Sequence, residues 1–138
     1  MSISFPFERQ PSEVFGTIHR PVVPAQLWSA RAGRWVRVVM IVDTGADYTL
    51  LARVHAAILG VDLRKNCRRV ATAGIGGTET VYLLPRLRMR LGPWSRVIPV
   101  GFLDRDDVLP LMGRTGCLDT FDVRFARRRT TFSAQRPA

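Results

Sequence analysis

The part of this sequence best suited to chemistry is an aspartate that ends a run of apolar residues. Ile41 and Val42 lead directly into Asp43, and Thr44 and Gly45 follow it. A carboxylate beside apolar neighbours loses hydration, so a tight turn that offers backbone amides and a threonine hydroxyl would stabilise it. Gly45 lets a peptide backbone approach closely and can adopt strained dihedral angles. The same tripeptide is also typical of an Asx-turn that opens a helix, so by itself it leaves both interpretations open.

The elements around this aspartate are predicted to be short strands. Apolar residues alternate with polar ones, or run continuously, in residues 22–28, 35–42, 70–73, 78–84, 86–91, 96–103, 108–112 and 122–125. Gly33 lies in the turn of a first hairpin, and the glycine-rich segment 74–77 forms the tip of a second. A helix is predicted for residues 50–59, which Gly60 would cap, and a second short one for residues 114–121.

This pattern predicts a mainly β fold, in which many short strands and one or two short helices form a closed barrel or a folded-over sheet. The length of 138 residues suits one domain. We assign residues 1–19 to an N-terminal arm that needs another surface to pack on and whose order is doubtful. Residues 20–126 form the domain, and residues 127–138 form a basic C-terminal tail.

Net charge, cysteine and histidine content and the lengths of apolar stretches indicate which kinds of partner and cofactor to expect. The net charge is +10, and Lys65 is the single lysine among the 21 cationic residues. Such a surface can attract nucleic acid, acidic protein or anionic lipid, although most of the arginines are spread along the chain. Cys67, Cys117 and the two histidines are isolated, so neither a metal site nor another cofactor is expected. With no secretory signal or membrane-spanning stretch in the sequence, we expect a cytoplasmic protein.

Three segments of the sequence resemble the retropepsin family of aspartic peptidases, and they occur in that family's order. The segments are Ile41-Val42-Asp43-Thr44-Gly45-Ala46-Asp47, Gly74-Ile75-Gly76-Gly77 and Leu109-Pro110-Leu111-Met112-Gly113-Arg114. They are similar to the catalytic loop, the tip of a flap hairpin, and the apolar strand that ends in Gly-Arg. Order, spacing and predicted element type agree. The chain departs from viral members at Tyr48, at Thr115, in its extended termini and in the helix at 50–59, and the helix makes it similar to bacterial retropepsin-like proteins.

The resemblance implies an aspartic endopeptidase that is active as a homodimer. Hydrolysis by this route needs two carboxylates that share one proton, because like charges so close cannot both ionise. One aspartate activates water and the other protonates the peptide carbonyl oxygen. The chain contains a single Asp-Thr-Gly sequence, so a two-fold axis between two copies would bring Asp43 against its mate. Thr44 would then hydrogen-bond across the dimer.

The family pattern also implies substrate-binding residues for an extended peptide. These would be Gly45, Asp47, Tyr48, Gly74, Ile75, Gly76, Leu109 and Leu111, with Gly113 and Arg114 in structural support and Arg114 paired with Asp47. Each assignment has a plainer alternative. The Asp47–Arg114 pair could be an ordinary surface salt bridge, the glycine-rich tip a simple turn, and Tyr48, Leu109 and Leu111 part of the core.

Two hypotheses from other classes stay open. A dimer of the same fold could bind protein or nucleic acid without cleaving anything, which the run Arg127-Arg128-Arg129 and the positive charge favour and the intact Asp43-Thr44-Gly45 opposes. A domain used only for self-association is the third. Cleavage of peptides by the wild type, absent in Asp43→Asn, distinguishes the peptidase from both.

Overall fold

The computed structural model describes residues 1–135, which form twelve strands and two short helices. The strands are β1 (Ser2–Pro6), β2 (Glu8–Ser12), β3 (Gly16–Arg20), β4 (Val22–Ser29), β5 (Arg34–Val42), β6 (Thr49–Ala52), β7 (Arg68–Gly74), β8 (Gly77–Leu91), β9 (Trp94–Leu103), β10 (Leu111–Met112), β11 (Phe121–Ala126) and β12 (Arg129–Ala134). The helices are α1 (Val54–Leu59) and α2 (Leu63–Asn66), and a 3-10 turn covers Leu118–Thr120. The predicted mainly β fold is confirmed.

Six of the strands close into a barrel. They follow the order β4, β5, β10, β6, β9, β8, and β8 pairs back onto β4. β10 runs parallel to β5 and β6 runs parallel to β9, whereas the other neighbours are antiparallel. β7 lies outside this ring, where it forms a hairpin with β8. Since a closed ring has no unpaired edge, the barrel is a stable frame for the loops at its ends.

The core combines residues of this ring with others from α1, the 3-10 turn, β11 and β12, and within the ring strand alternation explains its composition. In β4 every second residue is buried, and in β8 Leu87, Met89 and Leu91 are buried while Arg86 and Arg88 are exposed. The largest fully buried side chains are Phe102, Phe132, Leu27, Met40, Leu51, Leu59, Met89, Leu91, Ile98 and Met112. Their burial is the main force that holds the barrel together.

The helix predicted for residues 50–59 is wrong for residues 50–52 and confirmed for residues 54–59. Thr49–Ala52 is a strand, and the helix begins at Val54. Leu50 pairs with Gly101 on one side and with Leu111 on the other, so the hydrogen bonds of two ladders outweigh the helix propensity of these residues. Gly60 ends α1 with a φ of 74°, as its place in the sequence predicts.

The two ends of the chain are strands, which corrects the expectation of a doubtfully ordered arm. β12 pairs with both β1 and β11, and β2 forms a hairpin with β3. The rings of Phe5 and Phe132 meet edge to face at 6.0 Å, so the arm finds its packing surface in the C-terminal segment of the same chain. Within the predicted basic tail, Arg129–Ala134 is therefore a strand, and residues 136–138 lie outside the described residues.

Two further predictions were too long. The strand expected at residues 108–112 is only Leu111–Met112, and the helix expected at 114–121 is only the 3-10 turn Leu118–Thr120. Gly116 has a φ of 69°, which interrupts a helix in this segment. No helix among residues 1–135 has the length and apolar character needed to cross a membrane.

Candidate active site

Asp43 lies at the point where β5 leaves the barrel. Its backbone N–H donates to the carbonyl of Met112 at 3.0 Å, which continues the parallel pairing of β5 with β10. Its carboxylate Oδ1 accepts a hydrogen bond of 2.9 Å from the Gly45 amide. Thr44 is exposed, and Asp43 is half-buried. The turn therefore holds a carboxylate at a fixed place beside the end of a buried strand, as its sequence predicts.

Gly45 is needed here for space rather than for its dihedral angles. It is not among the glycines of positive φ, which corrects the expectation of a strained conformation. A Cβ at this position would lie 3.3 Å from Oδ1 of Asp43, closer than ordinary van der Waals contact. A side chain at residue 45 would thus push directly on the carboxylate.

Asp47 and Arg114 meet across the loop. Nη2 of Arg114 donates to Oδ1 of Asp47 at 2.8 Å, and the backbone N–H of Arg114 donates to the carbonyl of Ala46 at 3.0 Å. The next amide, of Thr115, donates to the carbonyl of Asp47 at 2.8 Å. Because both charged side chains are largely exposed, the ion pair contributes at most about 1 kcal/mol, and the two backbone bonds do more to fix the loop.

Gly113 lies where the loop crosses the end of β10. A Cβ there would come within 2.2 Å of the Tyr48 carbonyl carbon, so no other residue fits without moving the backbone. The Gly113 amide donates to Oγ1 of Thr49 at 3.2 Å, and Thr49 is fully buried. Sequence reasoning missed Thr49, although a threonine that opens an apolar strand is a signal for a buried hydroxyl. It also lies near Cys117, whose burial raises the pKa of its thiol to about 12.

Tyr48 connects the loop to the hairpin of β7 and β8. Its hydroxyl lies 3.4 Å from Oγ1 of Thr72 in β7, and its ring occupies the space that a side chain at Gly101 would take. Tyr48 is half-buried. Its side chain therefore links the Asp43 loop to the β7–β8 hairpin, a role that sequence reasoning did not assign to it.

The hairpin tip projects into solvent. Gly74 pairs with Gly77, Gly77 has a φ of 114°, and Ile75 between them is fully exposed. Gly76 has no atom within 4 Å of a Cβ built on it. An apolar side chain held out at the tip of a hairpin suits contact with another molecule.

Leu109 and Leu111 occupy different environments. Leu109 is exposed and Leu111 is half-buried in β10, opposite Ile41 and Leu50. Leu109 lines a cavity of about 340 Å³ together with Glu8, Gln10, Val22, Val39, Ile41 and Pro110. Asp43 does not line that cavity, so the structure does not place Leu109 directly at the carboxylate.

The acidic loop after β9 connects the β7–β8 hairpin to α1. Sequence reasoning did not predict these contacts. Arg105 binds Glu79 of β8 at 2.9 Å and forms an ion pair with Asp107, and it holds the pKa of Asp107 below the ordinary value. Asp106 accepts a hydrogen bond of 2.7 Å from the Val54 amide, and Asp104 binds Arg53 at 2.6 Å. We call residues 104–107 the acidic clip. Its partners are 25 or more positions away, so only the folded chain brings them together.

No group of His, Cys, Asp or Glu side chains within residues 1–135 is arranged to hold a metal ion.

Two comparisons with known proteins give a match for this chain. A family model described as "Aspartyl protease" matches residues 29–118, which include Asp43, the hairpin and Gly113. Among solved structures, a retropepsin-like aspartic protease from Rickettsia conorii superposes with a TM-score of 0.66 at 19% identity, and the match covers 95% of this chain and 98% of that one. At this identity the likeness concerns the fold alone. No protein with a curated description matches the sequence.

Proposed function

The chain belongs to the aspartyl protease family, and from this premise we propose that it is an aspartic endopeptidase that is active as a homodimer. The observation that carries the proposal is the single carboxylate of Asp43, fixed by the Gly45 amide in a loop whose neighbour Thr44 is exposed. A loop of this kind is half of a catalytic pair. The other half is the same loop of a second copy.

Symmetry explains why one Asp-Thr-Gly sequence is enough. An isologous dimer places the same surface of both subunits on the two-fold axis, so a residue on that axis meets its own copy. Two Asp43 carboxylates at hydrogen-bonding distance would share one proton, since the second ionisation is opposed by the first charge. Thr44, exposed in the single chain, would hydrogen-bond to the partner's loop and hold the two carboxylates at a fixed separation.

The reaction needs only these two groups and water. The ionised carboxylate takes a proton from the water molecule as the water oxygen attacks the peptide carbonyl carbon, and the protonated carboxyl gives its proton to the carbonyl oxygen. The tetrahedral gem-diol then collapses: the carboxyl that took the water proton gives it to the nitrogen, the other carboxylate takes a proton back from one hydroxyl, and the C–N bond breaks to release a carboxylic acid and an amine. Gly45 lets the substrate backbone come close to the carboxylates, because a side chain there would crowd Asp43.

The substrate would be an extended peptide held between the loop and the hairpin. Asp47 would accept from a substrate amide, and Gly74, Ile75 and Gly76 would close over the bound chain as the glycine-rich tip moves. Full exposure of Ile75 supports this role, since an apolar side chain at a tip gains burial only when something binds. Tyr48 would act mainly by connecting the loop to the hairpin.

Leu109 and Leu111 would help to select apolar substrate side chains, since both lie near Ile41. Leu111 is next to Ile41 in the ladder, and Leu109 shares a cavity with it. Gly113 and Arg114 support the loop from behind, through the close approach to Tyr48 and the bond to Asp47.

The test compares the wild type with Asp43→Asn and with Asp119→Asn, an exposed aspartate in the 3-10 turn that serves as a matched control. Each is incubated with a denatured protein mixture at several pH values, and mass spectrometry identifies new chain termini. We expect termini from the wild type and the control and none from Asp43→Asn. Cleavage that persists in Asp43→Asn would disprove the assignment of this residue.

Mixed dimers test the need for two copies. If wild type and Asp43→Asn exchange freely in equal amounts, only about one quarter of the dimers carry both carboxylates, so activity should fall as the square of the wild-type fraction. A linear decrease would mean that a single Asp43 suffices. A stable dimer without any cleavage from acidic to neutral pH would favour a non-catalytic binding or self-association domain of the same fold.

A further inference from the structure

One face of the barrel, at the end opposite to Asp43, presents tryptophan and arginine side chains together. We call this the Trp–Arg face and define it by Trp28, Trp35, Arg37, Arg88 and Arg90. Trp28 is on β4, Trp35 and Arg37 are on β5, and both other arginines are on β8. Trp28 is opposite Trp35 in the ladder, and Gln26 is opposite both Arg37 and Arg90. The face is therefore one continuous surface across neighbouring strands.

The side chains of this face are arranged in a stack. The two indole rings meet edge to face with centroids 5.5 Å apart. The guanidinium carbon of Arg88 is 5.0 Å from the Trp28 ring centroid and 5.2 Å from that of Trp35, and Arg90 lies 4.4 Å from Trp35. Guanidinium groups held against aromatic rings have already lost much of their rotamer freedom, so a ligand that binds them loses less entropy.

The charge of this face is not neutralised by the strands that build it. β4, β5 and β9 contain no Asp or Glu, and the single acidic residue of β8, Glu79, binds Arg105 of the acidic clip. The four salt bridges within residues 1–135 use Arg53, Arg105 and Arg114, and none involves an arginine of the Trp–Arg face. These three arginines thus form no ion pair within the described residues, although Glu8 lines a neighbouring recess together with Arg37, and their combined positive potential attracts an external anion.

Two recesses flank the stacked rings. The first, of about 300 Å³, is lined by Phe5, Pro24, Gln26, Arg37, Arg90 and Gly92. The second, of about 150 Å³, is lined by Trp35, Arg88, Ser95, Arg96 and Val97. Each recess combines guanidinium donors with an aromatic ring, the two kinds of group that bind a phosphate and a planar base.

We propose that the Trp–Arg face binds single-stranded nucleic acid. Arg37, Arg88 and Arg90 would contact successive phosphates, while bases stack on the guanidinium and indole planes without sequence-specific contacts. An acidic peptide would match the charge, but its Asp and Glu side chains lack the aromatic plane with which every base can stack on these surfaces. Trp35 is eight residues from Asp43 along β5, which corresponds to about 26 Å. The face is therefore separate from the proposed peptidase site and does not depend on it.

The test measures binding of a fluorescently labelled 20-nucleotide oligothymidylate to the full-length protein by anisotropy, over a range of salt concentrations. Intrinsic tryptophan fluorescence is recorded in parallel with unlabelled oligothymidylate, because bases that stack on indole quench its emission. The variant Arg88→Gln/Arg90→Gln is compared with Arg64→Gln/Arg124→Gln, a control with the same net charge whose two exposed arginines lie on α2 and β11. Arg37→Gln is a second variant that leaves the cation–π contacts intact, and thermal unfolding shows that each variant is folded.

We expect the double variant to lose affinity about tenfold or more, and the control to keep it. Since each phosphate contact contributes about −0.7 to the slope of log affinity against log salt, the double variant should also flatten that slope by about 1.4. Arg37→Gln should flatten it by about half as much. Absence of binding at low salt, or an equal loss in the control, would overturn the proposal. Poly-glutamate that binds as tightly as the oligonucleotide would assign the face to acidic polypeptides instead.

Discussion

Replacement of single glycines around Asp43 provides the most direct test of the site geometry. Gly113, Gly45 and Gly76 lie at the loop crossing, in the Asp-Thr-Gly turn and at the hairpin tip, and none has a positive φ. Substitution by alanine therefore tests space alone and not backbone strain. The structure predicts a different outcome at each position.

The expected magnitudes follow from what each new Cβ would meet. In Gly113→Ala it would lie 2.2 Å from the Tyr48 carbonyl carbon and 2.8 Å from the Thr49 nitrogen, and backbone atoms of a packed crossing cannot move aside easily. We expect a loss of about 3 kcal/mol, the upper part of the range for overpacking, and a melting temperature lower by about 10 °C. In Gly76→Ala the Cβ meets nothing within 4 Å, so stability should change by less than about 0.5 kcal/mol.

Gly45→Ala separates stability from activity. Its Cβ would lie 3.3 Å from Oδ1 of Asp43, a contact that the exposed loop can relieve by a small shift of the carboxylate. We expect a stability loss below about 1 kcal/mol but a decrease of kcat of at least about tenfold, because misplacement of a reacting group has a large effect on rate.

Urea unfolding followed by circular dichroism gives the stabilities, and cleavage of a peptide identified in the digestion experiment gives kcat. Gly76→Ala is the control for the stability measurements alone, since it makes the same chemical change in open space. Wild-type stability in Gly113→Ala would refute the crossing geometry. A kcat in Gly45→Ala equal to that of the wild type would refute the proposed effect of residue 45 on the Asp43 carboxylate.

Three other predictions follow from side-chain contacts. Arg105→Gln removes the ion pairs of the acidic clip with Glu79 and Asp107, so the base of the hairpin should become more susceptible to limited proteolysis and KM should rise, while Arg64→Gln should change neither. Because Arg105 lowers the pKa of Asp107, the ion pair stabilises the fold at pH values above the ordinary pKa of 3.8 and weakens as the pH falls below it. An NMR titration should give Asp107 a pKa below 3.8 in the wild type and near 3.8 in Arg105→Gln. Equal titration of Asp107 in both proteins would contradict the contact. Burial raises the pKa of Cys117 to about 12, so a disulfide reagent at pH 8 should label only the half-buried Cys67 in the folded protein and both thiols after unfolding, and two fast reactions in the folded protein would be inconsistent with that burial.

Local patterns in the sequence were sufficient for most of the barrel. Alternation predicts β4, β5 and β9 to within a few residues, because the side-chain period of two decides directly which face of a strand is buried. The two strands predicted at 78–84 and 86–91 are one strand, β8, whose pairing with β9 is irregular between Leu84 and Leu87. Glycines in the turns and at the end of α1 act through their own backbone conformation, so Gly60 was predicted from its position alone. Features that depend only on residues close in the sequence can therefore be predicted from the sequence.

The errors occur where a distant segment decides the conformation. Residues 50–52 have good helix propensity, but pairing with β9 and β10 makes them a strand. Residues 2–6 look like an arm, and the partner that orders them, β12, is more than 120 positions away. No local rule gives the register of such pairings, because loop closure and burial are settled for the whole chain at once.

The candidate site divides in the same way. The sequence alone determined the residue types of the Asp43-Thr44-Gly45 turn at the end of an apolar strand. The second copy stays a prediction, which the retropepsin resemblance implies because the sequence contains one Asp-Thr-Gly. Only the tertiary structure decided that Thr49 is buried under Gly113, that Tyr48 reaches Thr72, and that the acidic clip ties the hairpin to α1. These contacts join residues 24 to 64 positions apart, and their energy exists only after the barrel has closed and brought the groups within bonding distance.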